Sequence, residues 1–263
     1  MDADEKGESI MKLKELFVTA GENLSFLGVS LLVIIGVFVV AKVAEKLIGM
    51  KNDPSMRTRK IAVIGIFSAI AGVLMYLELP LWFAPSFYEL DFSEVPVLIC
   101  AFAYGPMAGV IAELCKVFVK LFLKGTSTAF VGDLANFIIG CSLILPASII
   151  YHVKKTRNAA RIGMGVGTVI MSIFGSAFNA FYLIPTYVVL FGMPLDAIIG
   201  MGTAVNPNIT SVSTLVLFAV VPFNLLKGAA DSTITFFLYK KLSPIIHAQH
   251  SIKQKDVVTS TGN

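Results

Sequence analysis

The stretch Val212-Ser-Thr-Leu-Val-Leu-Phe-Ala-Val-Val-Pro-Phe-Asn-Leu-Leu-Lys-Gly-Ala-Ala-Asp-Ser-Thr-Ile-Thr-Phe-Phe-Leu-Tyr239 is long enough to cross a bilayer, yet it carries a lysine near its middle. Asn224 stands one helical turn before Lys227 and Asp231 one turn after it. Amide, ammonium and carboxylate therefore share one stripe of about 60° of arc. A lysine at the bilayer centre costs about 2.5–3.5 kcal/mol on insertion scales, so it normally faces a bundle interior and has a task there. Two readings compete. In the first, a Lys227–Asp231 pair only ties helices together. In the second, the stripe belongs to a polar ligand site inside a membrane bundle, and the pattern favours this one.

The composition agrees with a membrane setting. Of 263 residues, 56% are hydrophobic and only 14% charged, and the mean hydropathy is +0.81. A soluble domain carries about a quarter charged residues, so this chain lacks the charge to dress a water-facing surface. Leu24 to Val43 reads as a further apolar run rather than a signal peptide, because it follows an acidic stretch (Asp2, Asp4, Glu5, Glu8) and ends without a small-x-small cleavage site.

The candidate spans are 23–45, 58–77, 95–104, 106–124, 132–153, 160–191 and 212–240. The third is too short to cross alone as a straight lipid-facing helix, and Gly105-Pro106 reads as a tight turn out of it. Basic residues set the orientation. Lys46, Lys51, Arg57, Arg59 and Lys60 lie between the first two spans, Lys154, Lys155, Arg157 and Arg161 after the fifth, and Lys240 and Lys241 after the last. These linkers are cytoplasmic if six core helices have both ends inside and one extra helix precedes them. The segment from Glu78 to Glu94 carries four acids and no basic residue, which fits the outer face. Its alternation over Phe87-Tyr88-Glu89-Leu90-Asp91-Phe92 suggests a short strand or hairpin suited to covering a pocket.

Glu113, Lys116, Lys120 and Lys124 fall on one face of the fourth span, in its outward half, against the positive-inside trend. Either the lysines reach the interface or pair with Glu113, or they form a basic patch that draws a ligand into the mouth. Small residues mark close helix contacts: Gly65-x-x-x-Ala69, Ser68-x-x-x-Gly72, Gly105-x-x-x-Gly109 and Ala108-x-x-x-Ala112. Gly163-x-Gly165-x-Gly167 lies in an apolar helix with no preceding strand, so it reads as packing rather than a dinucleotide loop.

Several chemistries are excluded. Cys100, Cys115 and Cys141 lie in apolar runs at unrelated spacings, and His247-x-x-His250 sits in a polar tail, so no metal site is expected. There is no Gly-Lys dipeptide and hence no P-loop, and neither HExxH nor GxSxG occurs. The chain reads as no enzyme, with no catalytic residues, no cofactor of its own and no nucleic-acid surface. Uphill movement of a ligand would need an ion gradient or a separate ATPase.

Four segments carry a resemblance: Tyr88-Glu-Leu-Asp-Phe-Ser-Glu-Val-Pro96, Gly132-Asp-Leu-Ala-Asn-Phe137, the Asn179 segment ending in Pro185-Thr-Tyr187, and Asn224-Leu-Leu-Lys227. In this order, from about Arg57 to Leu242, the chain resembles the riboflavin-specific S components of energy-coupling factor (ECF) transporters. The resemblance implies an all-α integral membrane protein of the bacterial plasma membrane: a six-helix bundle (57–242) with a short external lid. Residues 1–56 add an extra N-terminal transmembrane helix, and 243–263 form a polar tail. It implies flavin as transported ligand, with Asn179, Asn224 and Lys227 on the ring edge. Tyr88, Leu90 and Phe92 of the lid would cover the rings, and Asp133 and Asn136 would reach the ribityl hydroxyls. It also implies a transmembrane T component and two ATPases as partners, contacted through Gly65 and Ala69, where the family has Ala-x-x-x-Ala. The 192–211 loop looks long against the family, and its Asn206-Pro207-Asn208 suggests an ordered external excursion. The alternatives are a flavin mononucleotide or other vitamin component of the same kind and an ion-coupled secondary transporter, although no internal repeat is visible.

Overall fold

The computed structural model describes residues 24–50 and 57–260. The acidic N-terminal stretch and Lys51 lie outside the described residues, and so does the side-chain detail of the His247-x-x-His250 tail. The first helix, α1 (Leu24–Ile48), is followed by α2 (Arg57–Tyr76) and a two-stranded antiparallel hairpin, β1 (Leu79–Pro80) and β2 (Glu89–Leu90), with Leu79 opposite Leu90. Then come α3 (Glu94–Tyr104), α4 (Pro106–Lys124) and α5 (Val131–Lys154). Next, α6 (Arg157–Phe178) runs through a π-helical turn (Asn179–Leu183) into α7 (Ile184–Phe191). After α8 (Leu195–Val205), the short α9 (Val212–Leu215) passes through a second π turn (Val216–Val220) into α10 (Val221–Ser260).

Four of these stretches are long and apolar enough to span: Arg57–Tyr76, Val131–Lys154, Arg157–Val189 and Val212–Tyr239. Their outer faces expose Ile66, Ile70, Ile162, Ile173, Phe181 and Phe237, an apolar belt with no role in water. The chain is a multi-pass membrane protein. The short α3, 11 residues and therefore about 16 Å long, never meets lipid: Val97, Leu98, Cys100 and Ala101 are fully buried. Gly105 adopts φ 101°, and Pro106 then starts α4, so the chain reverses within one residue as the Gly-Pro pair suggests.

Helix contacts follow the small residues. A Cβ on Gly163 would stand 2.6 Å from the Ala147 carbonyl oxygen and one on Gly167 2.5 Å from that of Leu143, so both glycines press α6 onto α5. Gly165 faces open space. On α2 the two small-residue pairs point in opposite directions. Ser68 and Gly72 are buried, with Gly72 against Val119 of α4, whereas nothing lies within 4 Å of a Cβ on Gly65 and Ala69 is exposed. The added helix α1 packs on α4 and α5, where Ala41 joins Val110, Val117 and Val131. Glu45 Oε1 accepts the Met107 N–H at 3.1 Å.

Two boundaries differ from the sequence reading. The 192–211 excursion is largely the helix α8, whose Ile198 packs with Ile184, Ile209 and Leu215; only Asn206-Pro207-Asn208 makes a turn, with Asn206 Oδ1 accepting the Asn208 N–H at 3.0 Å. The last helix, expected to close near 240, continues to Ser260.

Candidate functional site

Lys227 is 4% exposed, but its partner is not Asp231. Its Nζ donates to Asp91 Oδ2 at 2.5 Å, across 136 residues of sequence. Helical side chains lean toward the N-terminus, and a lysine placed before its acid has the weaker i,i+4 geometry. Lys227 therefore leans away from Asp231 toward the hairpin. Asp231 is fully buried, and neither of its carboxylate oxygens has a hydrogen-bond partner among the described residues. The pairing of neighbours on one helix is thus corrected to a pairing of α10 with the segment that follows β2.

Asp91 follows β2 and is also held by the Ser93 N–H at 2.8 Å. Burial pushes its carboxyl up. The charges of Lys227 and Lys116 and the hydrogen bonds from Lys227 and Ser93 outweigh this and bring it down to about 2. A carboxyl depressed on folding stabilises above its free value near 3.9 and loses that contribution as pH falls through the folded value. The Asp91 latch is therefore expected to hold unchanged from neutral pH to about pH 4 and to release between about 4 and 2. Hydrogen exchange of the 79–93 backbone against pH measures this; release already at about pH 6 would contradict it.

Asn179 opens the π turn after α6, a distortion frequent at functional sites. Its Nδ2 donates to the Gly175 carbonyl at 2.8 Å, and its Oδ1 accepts the Tyr88 hydroxyl at 2.7 Å. Burial pushes the Tyr88 hydroxyl well above its ordinary value, and the nearby Tyr187 adds to this. The Tyr88 ring lies 5.4 Å from Phe223 and 4.6 Å from Phe87. Asn224 is 3% exposed, and its Nδ2 has no partner among the described residues. Gly175 faces it so closely that a Cβ would stand 3.0 Å from that nitrogen. A buried amide donor without an acceptor costs about 1–3 kcal/mol, so its presence needs an explanation.

These groups line an inner cavity of about 130 Å³. An outer cavity of about 620 Å³ adjoins it, sharing Phe87, Glu89, Asn136 and Tyr187. Of the residues singled out in the sequence, Tyr88, Asn136, Asn179, Asn224 and Lys227 stand together on the inner lining. Leu90, Phe92 and Asp133 stand behind it. Leu90 is buried, Phe92 packs on the apolar core, and Asp133 accepts from Lys120 and Thr126, each at 2.7 Å. The β-alternation behind Leu90 and Phe92 extends over only two residues, Glu89–Leu90. Asp91, Glu94, Tyr187 and Phe223 also line the inner cavity and were not anticipated. For Asp91 the available signal was only its place between aromatic residues Tyr88 and Phe92; nothing nearby in sequence names its cation.

The lysine face of α4 forms a ladder of ion pairs, buried at Lys116 and Lys120 and exposed at Lys124. Lys116, fully buried, meets Glu94 at 2.9 Å and Glu113 at 2.5 Å. Lys120 meets Asp133 at 2.7 Å. Lys124 meets Glu78, with Glu89 at 3.8 Å. Gly140 makes room for Glu113, whose carboxylate would overlap any Cβ there. The pairing with Glu113 is thus present, and among the described residues no lysine of this face is left as an open basic patch.

Residues 59–239 match the family described as "ECF transporter, substrate-specific component". The chain belongs to that family. It is 32% identical over 196 residues to the riboflavin transporter RibU of Staphylococcus aureus (strain TCH60), spanning 74% of this chain and 96% of the relative. It is 30% identical over 197 residues to the riboflavin transporter FmnP of Bacillus subtilis (strain 168), spanning 74% and 98%. Among solved structures, the S component of a bacterial ECF transporter aligns with a TM-score of 0.57 at 32% identity, covering 72% of this chain and 98% of that one. The matched residues run from within α2 to residue 239 in α10; α1 precedes them, and the end of α10 follows them. The family consists of transport proteins rather than enzymes.

Proposed function

We propose that this substrate-specific component captures riboflavin from outside the cell and passes it inward with a T component and two ATPases. The carrying observation is the unpartnered Asn224 amide donor beside Asn179 and Lys227. A flavin ring edge alternates carbonyl acceptors with an N–H donor; two asparagine amides and an ammonium match that sequence. Tyr88 and Phe223 supply aromatic surface for the planar rings, and Asn136, toward the outer cavity, suits the ribityl chain. The names of the S. aureus and B. subtilis relatives support the same ligand.

At about 130 Å³ the inner cavity is smaller than the roughly 300 Å³ at which ligand sites begin. Tyr88 and Asp91 occupy the polar groups of Asn179 and Lys227 that the ring edge needs. Binding therefore requires the 79–93 segment to move, which makes it a lid. Burying roughly 300 Å² of apolar ring surface at about 25 cal/mol/Å² gives on the order of 7 kcal/mol before association costs, so the polar groups decide selectivity. Titration of the detergent-solubilised protein with riboflavin is expected to quench flavin fluorescence saturably, one to one, at or below micromolar ligand. Absence of saturable quenching would sink the reading.

A further inference from the structure

We infer that the outer cavity selects the neutral polyol tail of the flavin against its phosphate ester, with Glu78 and Glu89 of the lid as the specificity-determining residues. The inference rests on the riboflavin reading of the inner site. With the ring edge at Asn179, Asn224 and Lys227, the tail leaves past Asn136 and Tyr187, which line both cavities, as Glu78 and Glu89 also do. Its end then lies among Glu78, Glu89, Lys120 and Lys124.

Two ammonium groups in this vestibule look like a phosphate site, but each is already paired with a carboxylate, although Lys124 is 43% exposed. Lys120 is committed to Asp133 at 2.7 Å, with both side chains almost fully buried. Lys124 is held by Glu78 and lies 3.8 Å from Glu89. Three carboxylates therefore face two ammonium groups. A phosphate dianion reaching for Lys124 must displace Glu78, whose side chain is only 14% exposed and would be left poorly solvated beside new negative charge. Like-charge juxtaposition of this kind is how a site rejects the wrong ligand. Burial, a hydrogen bond with Glu78 and the Glu78 charge together push the Glu89 carboxyl up, against the opposing pull of Lys124 and Lys120. With each ammonium group already facing a carboxylate, the vestibule has no spare positive charge for a phosphate. Hydroxyl groups meet no such penalty: they donate to Glu78 and Glu89 and accept from the Thr128 hydroxyl.

The test compares dissociation constants for riboflavin and riboflavin 5′-phosphate, each by fluorescence quenching, in the wild type, in Glu89→Gln and in Glu78→Gln/Glu89→Gln. Glu89 is 38% exposed, so the single substitution keeps the fold even if the double variant does not. The expected result is a wild-type preference for riboflavin of about tenfold or more, reduced at least severalfold in Glu89→Gln and further in the double variant. Equal or tighter binding of the phosphate ester to the wild type, or a ratio unmoved by Glu89→Gln, overturns the inference while leaving riboflavin capture standing. Absence of quenching by either flavin overturns both, a result distinguishable from the first.

Discussion

Lys227→Met is expected to raise the dissociation constant for riboflavin about ten- to hundredfold. Methionine preserves the length and apolar stem and deletes the charge, so what is lost is one charge-assisted hydrogen bond to a ring carbonyl, about 1.5–3 kcal/mol. Stability falls too, because Asp91 loses the cation that holds it at 2.5 Å. Orphaning one member of a buried pair costs about 3–5 kcal/mol when the other cannot escape. Asp91 follows the hairpin strand Glu89–Leu90, in the segment that the proposed binding requires to move, so it can swing into water; this places the cost at the lower end of that range. The two effects separate in Lys227→Met/Asp91→Asn, where a neutral amide replaces the orphaned carboxylate. This double variant is expected to recover most of the melting temperature and none of the affinity. Melting temperature and dissociation constant measured on both proteins decide the matter. A Lys227→Met protein that melts lower but binds riboflavin as the wild type does would make Lys227 a structural residue and leave the site resting on Asn179 and Asn224 alone.

What could be read in the sequence was whatever is costly in an apolar run. Asn179, Asn224 and Lys227 stand out because polar groups in a membrane core need a reason, and the structure brings all three to one cavity. Their partners were not legible. Lys227 and Asp91 are 136 residues apart, and nothing local distinguishes that acid from Asp231 one turn away. Lys116 shows the same division: its i,i+3 neighbour Glu113 follows from helix geometry, while Glu94 arrives from α3. The π turns at Asn179–Leu183 and Val216–Val220 each end two residues before a proline, Pro185 and Pro222, whose missing N–H frees a carbonyl within the turn; a proline in an apolar run signals a helix irregularity but not its kind. Helix α8 was misread for a different reason. Pro194 before it and Asn206 after it are helix-boundary residues, but the Asn206-Pro207-Asn208 turn dominated the reading of the whole segment.

Ala69→Leu is expected to leave riboflavin binding by the isolated protein unchanged and to abolish most riboflavin uptake in cells. The argument starts from the two faces of α2. Ser68 and Gly72 point inward and could not accept bulk, since Gly72 already abuts Val119. Gly65 and Ala69 point outward into open space, so a leucine at 69 disturbs nothing within the bundle and is as comfortable in lipid as its neighbour Ile70. Small residues four apart on a membrane helix permit close backbone approach of a second helix, and association there depends on van der Waals fit because lipid supplies no hydrophobic drive. A leucine at the centre of such a contact separates the helices and removes most of the fit. Because the chain has no P-loop of its own, loss of that contact would, under the proposed coupling, disconnect capture from the energy source. The measurement pairs fluorescence titration of purified Ala69→Leu with uptake of labelled riboflavin in cells expressing it beside the T component and ATPases. Wild-type uptake by the variant, or uptake by the unaltered protein in a host lacking every ECF ATPase, would refute coupling through this face. Lost binding in the purified variant would place Ala69 inside the capture machinery, contrary to its exposure.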